Sequence, residues 1–273
     1  MPLALLLLGL IVARCALGAD VPLPRAAPVY SAASIVNAAD NQSGTLAPNT
    51  LGTIYGVNLA FSTAALSETD IHGGLLPVLL GDSQTTVYFD NYPAGLYYVS
   101  PGQINFLVPP NQSPGPVSVR VLVNSSRGPI IQLTLAAAAP GLFAMVVSGV
   151  TYAIATRVDG SLLTPSPSSQ AKPGDIVVLY ATGLGQTEGL QPENYLQLPT
   201  VAASLVAGAN LKVLLDGVAV ESSAIGYAGV APGYGGLYQV NLTLPKSTGK
   251  NPEIRLQLDG ASSIAGVHLP VSP

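Results

Sequence analysis

The stretch Gln103-Ile104-Asn105-Phe106-Leu107-Val108-Pro109 returns 136 residues later as Gln239-Val240-Asn241-Leu242-Thr243-Leu244-Pro245. In both copies side-chain amides alternate with apolar residues and a proline closes the run. That is the pattern of a strand that buries one face and then stops. Upstream, Leu51-Gly52-Thr53-Ile54-Tyr55-Gly56-Val57-Asn58-Leu59 follows Ala47-Pro48-Asn49. It is answered, 125 residues on, by Ile176-Val177-Val178-Leu179-Tyr180-Ala181-Thr182-Gly183-Leu184 after Lys172-Pro173-Gly174-Asp175. Each is a proline turn, a strand ending in Tyr, and a small-residue corner closed by Leu. Val87-Tyr88-Phe89-Asp90-Asn91 likewise answers Val213-Leu214-Leu215-Asp216-Gly217, both ending a strand at a two-residue hairpin signal. An offset that drifts in this way is what loop insertions between aligned strands produce. One structural plan is written twice.

A unit of this size, once in each half, is a domain duplication, since solenoid repeats recur every ~20–50 residues. Apolar runs within each unit are short and alternating, as in Val117-Ser118-Val119-Arg120-Val121-Leu122-Val123 and Ile254-Arg255-Leu256-Gln257-Leu258. No window carries a helical stripe, and Pro or Gly interrupts nearly every candidate. Around seven short strands per unit, separated by frequent turns, predict two tandem all-β, immunoglobulin-like sandwiches. Composition agrees. The chain is 48% hydrophobic and only 9% charged, against roughly 25% charged in an average soluble domain, with 29 Gly, 24 Pro, 12 Tyr and no Trp. Such a chain has ample material for a core and a neutral, hydrogen-bonding surface. The expected division is a leader over 1–19, a first sandwich over 20–140, a bridging hairpin and loop over 141–172, and a second sandwich over 173–273. Strands are expected in the bridge at Leu142 to Val147 and Tyr152 to Arg157, before the loose stretch Thr164-Pro165-Ser166-Pro167-Ser168-Ser169.

The leader reads as a secretory signal. Leu3 to Val12 is an apolar run too short to span a bilayer, followed by Ala16-Leu17-Gly18-Ala19, with cleavage expected near Gly18 or Ala19. No Lys or Arg precedes the run, and Arg14 stands before Cys15 where a lipidation signal wants a small residue. Removing the leader takes away the single Cys and leaves 9 basic against 14 acidic residues, a net charge of −5. Disulfides and thiolate zinc sites are then not expected. No basic block suits nucleic acid, and no later stretch is long enough to anchor in a membrane. The expected location is extracytoplasmic, in the periplasm, at the cell surface or secreted.

Several motifs taken together resemble a domain family abundant in acidobacteria and often named after Solibacter. They are Ser34-Ile35-Val36-Asn37-Ala38-Ala39, Tyr98-Val99-Ser100-Pro101-Gly102-Gln103-Ile104-Asn105, Ala139-Pro140-Gly141-Leu142-Phe143, Tyr180-Ala181-Thr182-Gly183-Leu184-Gly185, and Tyr227 to Gly233 with Gly236 to Asn241. The resemblance covers about residues 30 to 270. It implies two modules similar to IPT/TIG immunoglobulin-like domains in an exported protein, and it supplies no catalytic residues. The family usually closes large exported chains, whereas here only the leader is expected to precede it.

Candidate reactive groups are sparse. His72, in Asp70-Ile71-His72-Gly73-Gly74, is similar to an esterase oxyanion loop but has no Gly-x-Ser-x-Gly elbow to serve. His268 sits in an expected last strand, and neither histidine has metal-ligand spacing. Gly183-Leu184-Gly185 lacks the third glycine and the lysine of nucleotide fingerprints. The acids Asp70, Asp82, Asp90, Asp159, Asp175, Glu188, Glu193 and Asp216 are scattered, several at turn positions, and no loop has calcium-motif spacing. No catalytic residue, metal or cofactor is therefore expected. Gln103, Asn105, Gln239 and Asn241 are expected to be structural, an amide reaching a neighbouring loop to fix the corner before the proline. Tyr88, Tyr92, Tyr97 and Tyr98, with Phe89, form the candidate binding surface, with alternation sending Phe89 and one of Tyr97/Tyr98 inward. The resulting expectation is a non-catalytic module for cell-surface interaction, adhesion, or carbohydrate or protein binding. The alternatives are a spacer or assembly domain of a larger exported system, or an accessory domain of a polysaccharide-active enzyme.

Overall fold

A computed structural model describes residues 26–273, and the leader expected over 1–19 lies outside the described residues. Helical structure is limited there to five three-residue 3-10 turns. The first half runs β1 (Ile35–Asn37), β2 (Leu51–Tyr55), β3 (Ala64–Ala65), β4 (Thr85–Phe89) and β5 (Tyr92–Pro93). It continues with β6 (Gly95–Ser100), β7 (Gln103–Leu107), β8 (Gly115–Val123), β9 (Ser126–Arg127) and β10 (Ile131–Leu135). After these come β11 (Gly141–Leu142), β12 (Ala144–Val147), β13 (Val150–Ala153), β14 (Ala155–Arg157) and β15 (Ile176–Thr182). The second half closes with β16 (Ala203–Ser204), β17 (Lys212–Leu215), β18 (Val218–Ala219) and β19 (Ile225–Val230). Last are β20 (Tyr238–Thr243), β21 (Ile254–Leu258), β22 (Ala261–Ser262) and β23 (Val267–His268).

Pairing repeats as the sequence does. One first-half sheet is ordered β1-β2-β7-β6-β3 and the other β10-β8-β4-β5, with β9 on β8. In the second half β15-β20-β19-β16 repeats β2-β7-β6-β3, and β18-β17-β21 with β22 repeats β5-β4-β8 with β9. The protein is two tandem immunoglobulin-like β-sandwiches. Strands β11 to β14 fall within 141–172, and their partners beyond that segment are β15 and β23.

The alternation that predicted half-buried strands produces the cores. Val117, Val119, Val121 and Val123 of β8 point into a cluster with Ile54, Phe89, Ile104 and Phe106. Ile254, Leu256 and Leu258 of β21 join Val177, Leu179, Val240 and Leu242 in the second. Gly52 is fixed by the first core, since a Cβ there would stand 2.5 Å from the Phe106 ring. The repeated aspartates at the hairpins are clamps. Asp90 Oδ1 accepts from the Ser118 N–H at 2.9 Å, and Asp216 Oδ1 accepts from the Glu253 N–H at 2.9 Å. Asp216 and Gly217 both have positive φ, as the tight hairpin turn demands.

Both front sheets carry a bulge at the same place. The β6–β7 register slips between Leu96 and Tyr98, and that of β19–β20 between Ile225 and Tyr227. The extra residue is Tyr97 in one copy and Gly226 in the other. A bulge adds one residue against its partner strand and re-aims the side chains that follow.

A third apolar cluster joins the halves. Leu51, Leu76, Tyr97 and Leu107 of the first meet Phe143, Ile154, Leu198, Ala231 and Leu237 of the second. Hydrogen bonds cross the same seam. The Leu51 N–H donates to Thr182 Oγ1 at 2.8 Å and Asn49 Nδ2 donates to the Tyr238 hydroxyl at 2.8 Å, while Thr182 Oγ1 donates within the second half to the Gly236 carbonyl at 2.7 Å. Tyr238 in turn donates to the Gly185 carbonyl. Gly183 and Gly236 hold positive φ where a Cβ would meet Ala139 and Leu107 respectively, so close approach as well as conformation requires glycine there.

Candidate functional site

The expected aromatic surface divides. Tyr88, on β4 opposite Arg120, is half-buried, and Tyr92, on β5, is 45% exposed. Phe89 enters the first core at 5.5 Å from Phe106. Tyr97 and Tyr98 are a correction: alternation placed one of them inside, and both are buried, at 5% and 2% exposure. The bulge removes Tyr97 from strict alternation and sends it into the seam, where its hydroxyl donates to the Gly235 carbonyl at 2.8 Å. Burial pushes that hydroxyl's pKa up strongly. Tyr98 pairs with Asn105 across β6 and β7. Neither ring belongs to an exposed surface.

What joins Tyr92 instead is Tyr195, from the long loop between β15 and β16. The two rings meet edge to face, centroids 5.7 Å apart at 89°. The Tyr195 hydroxyl donates to the Pro93 carbonyl at 3.0 Å, so the loop of one half is tied to the hairpin of the other. Partial burial, then Tyr92 and Tyr88, raise the Tyr195 pKa. A second tie lies nearby: Gln197 Nε2 donates to the Gly74 carbonyl at 3.1 Å, and the Leu76 N–H donates to the Leu196 carbonyl at 2.9 Å. These bonds explain the His72-Gly73-Gly74 stretch as a docking loop, with His72 itself exposed.

Tyr195 also lines a cleft of about 430 Å³ between the halves, together with Asn49, Glu188, Gln191, Asn194, Gln197 and an apolar floor that includes Leu76 and Leu107. Glu188 is the one carboxylate among its lining residues. Amides and aromatic rings can hold a polyhydroxylated or peptide ligand by hydrogen bonds and stacking. Tyr195 was missed in the sequence because it stands alone in a polar loop, and only the fold brings it to Tyr92.

The amide pairs bond internally. Gln103 Nε2 donates to Asn105 Oδ1 at 2.8 Å, and Gln239 Nε2 to Asn241 Oδ1 at 2.7 Å. Each glutamine reaches the amide two residues along, which shares its face of the strand. Thr53 Oγ1 adds a bond to Asn105 Oδ1 at 3.1 Å. His268 Nδ1 lies 3.0 Å from the Asn251 carbonyl, with its ring edge-on to Tyr152. Asp159 accepts from the Ser161 N–H within its own turn, and the Ser161 hydroxyl, then this N–H, lower its pKa. Among the described residues no three of His, Cys, Asp and Glu gather as metal ligands, and no helix is long and apolar enough to cross a membrane.

A family model described as IPT/TIG domain matches residues 35–138. No curated protein matches the sequence. Among solved structures the chain is similar to a surface glycan-binding protein from Prevotella bryantii, at 12% identity and a TM-score of 0.26, over 89% of this chain and 42% of that one. It is also similar to the SGBP-B protein of the Bacteroides ovatus mixed-linkage glucan utilization locus, at 11% identity and a TM-score of 0.31, over 84% and 43%. A third is the gamma-CGTase of alkalophilic Bacillus clarkii, at 10% identity and a TM-score of 0.25, over 85% and 25%. The chain spans less than half the length of each of these structures.

Proposed function

We propose that this protein is an exported, non-catalytic immunoglobulin-like module that binds a neutral polysaccharide where its two sandwiches meet, with Tyr88, Tyr92 and Tyr195 as the contact rings. The observation that carries the reading is the Tyr92–Tyr195 pair: two rings from different halves, held by a bond to Pro93, beside a cleft lined by amides. Tyrosine gives large contact area at low entropy cost, and an uncharged, hydrogen-bonding surface suits an uncharged, hydroxyl-rich partner. In this reading residues 1–19 direct export, the two sandwiches divide near residue 140, and the protein works outside the cytoplasm. The acidobacterial family resembled by its motifs is the wider group in which we place it.

Affinity gels cast with neutral polysaccharides (mixed-linkage β-glucan, xylan, galactomannan) test the reading. Retardation by at least one is expected, and Tyr92→Ala or Tyr195→Ala weakens it about tenfold. Equal mobility of wild type in every gel, or retardation that both variants keep, overturns it.

A further inference from the structure

The outer face of the second front sheet repeats the arrangement that the first copy keeps sealed. Register matches Tyr98, Gln103 and Asn105 with Tyr227, Gln239 and Asn241. The first three are buried, whereas the second three are half-buried and open to solvent on one side.

Tyr227 is held flat. Its hydroxyl is shared between the carbonyls of Ala203 at 3.2 Å and Val230 at 2.9 Å, and a Cβ on Gly229 would strike its ring at 2.8 Å. Glycine at 229 is what lets the ring lie across the strand. Beside it, Gln239 is the cross-strand partner of Gly229 and Asn241 that of Tyr227. The amide bond between them uses Gln239 Nε2 and Asn241 Oδ1. Gln239 Oε1 and Asn241 Nδ2 are left as an acceptor and a donor without a partner among the described residues. No charged residue occurs in β15, β19 or β20. A pinned ring next to one free donor and one free acceptor, on an uncharged sheet, matches a sugar: its apolar face stacks and its adjacent hydroxyls give and take hydrogen bonds.

We propose that Tyr227, Gln239 and Asn241 form a second carbohydrate subsite that takes one neutral sugar ring. The carbonyls anchoring Tyr227 belong to Ala203 and Val230, which also line the cleft, so the subsite prolongs that cleft and the ligand is an extended chain. This prolongation rests on the polysaccharide reading of the cleft; the subsite itself does not.

The test is two-dimensional 15N NMR of the full chain titrated with cellohexaose, xylohexaose and mannohexaose. The side-chain NH2 signals of Asn241 and Gln239 are expected to shift with at least one sugar, while the sealed pair Gln103 and Asn105 stays still in the same spectra. Tyr227→Ala, and independently Gln239→Leu in case the first variant fails to fold, weakens that titration about tenfold. Unmoved Asn241 and Gln239 signals with all three sugars overturn the proposal, as do shifts that follow protein concentration, which mark a second copy on this face. Unchanged binding in Tyr195→Ala, with the Asn241 shifts retained, would refute only the cleft's share, and weakened binding in Tyr195→Ala, with the Asn241 and Gln239 signals unmoved in the wild type, only the subsite.

Discussion

The two front sheets share strand order, bulge and amide pair, yet differ on their outer faces. In the first, β6 and β7 are buried at every residue. In the second, β19 and β20 keep an exposed or half-exposed residue at most outward positions. Three matched positions change with the faces. Leu51, Tyr97 and Leu107, which carry the seam, stand where the second copy has Ile176, Gly226 and Thr243, all exposed. A duplicated motif thus fixes local bonds, while the neighbour it packs against decides whether its face is core or surface.

Matched substitutions should separate these roles. Leu107→Ala empties a position at 2% exposure and is expected to cost about 2–5 kcal/mol in chemical denaturation, whereas Thr243→Ala stays within about 0.5 kcal/mol. Equal losses would mean that the seam contributes nothing beyond each sandwich's own core. Asn105→Ala leaves Thr53 and Gln103 without their shared buried acceptor and is expected to cost about 1–3 kcal/mol. Asn241→Ala, on the open face, should cost less than half as much in the same assay.

A pH series sharpens the comparison further. Burial raises the pKa of the Tyr97 and Tyr238 hydroxyls, so their neutral forms belong to the folded state. Stability is then complete below the unfolded tyrosine pKa near ~10 and declines above it, by up to about 1.4 kcal/mol per pH unit for each group. Tyr97→Phe should flatten that alkaline slope by one group's share, read by denaturation at stepped pH. At neutral pH the same variant loses only its bond to Gly235, about 1 kcal/mol, and Gly226→Ala, with nothing closer than 4.0 Å to its new Cβ, should be nearly neutral.

The strand plan was legible in the sequence because alternation and hairpin aspartates are local signals. Val117 to Val123 and Asp216-Gly217 announce their own geometry. Burial of Tyr97 in the seam was not legible, since a bulge breaks the alternation used to assign faces and the partner of its hydroxyl, Gly235, stands more than a hundred positions away. Tyr195 was illegible for the same reason: nothing around it in its loop refers to Tyr92. The amide pairs were read as structural from their repetition, and in each copy the glutamine bonds its own strand mate, a detail that spacing of two permits without selecting.

The bonds that close the joint between the sandwiches run from Asn, Thr, Tyr and Gln side chains to carbonyls, hydroxyls and main-chain N–H groups, and none of those described here involves a charged side chain. Dissolved ions screen charges and leave neutral contacts of this kind nearly untouched. The angle between the two sandwiches should therefore be the same in dilute water and in brine, so that the molecule meets a changing exterior as a stiff elbow whose set is indifferent to salinity.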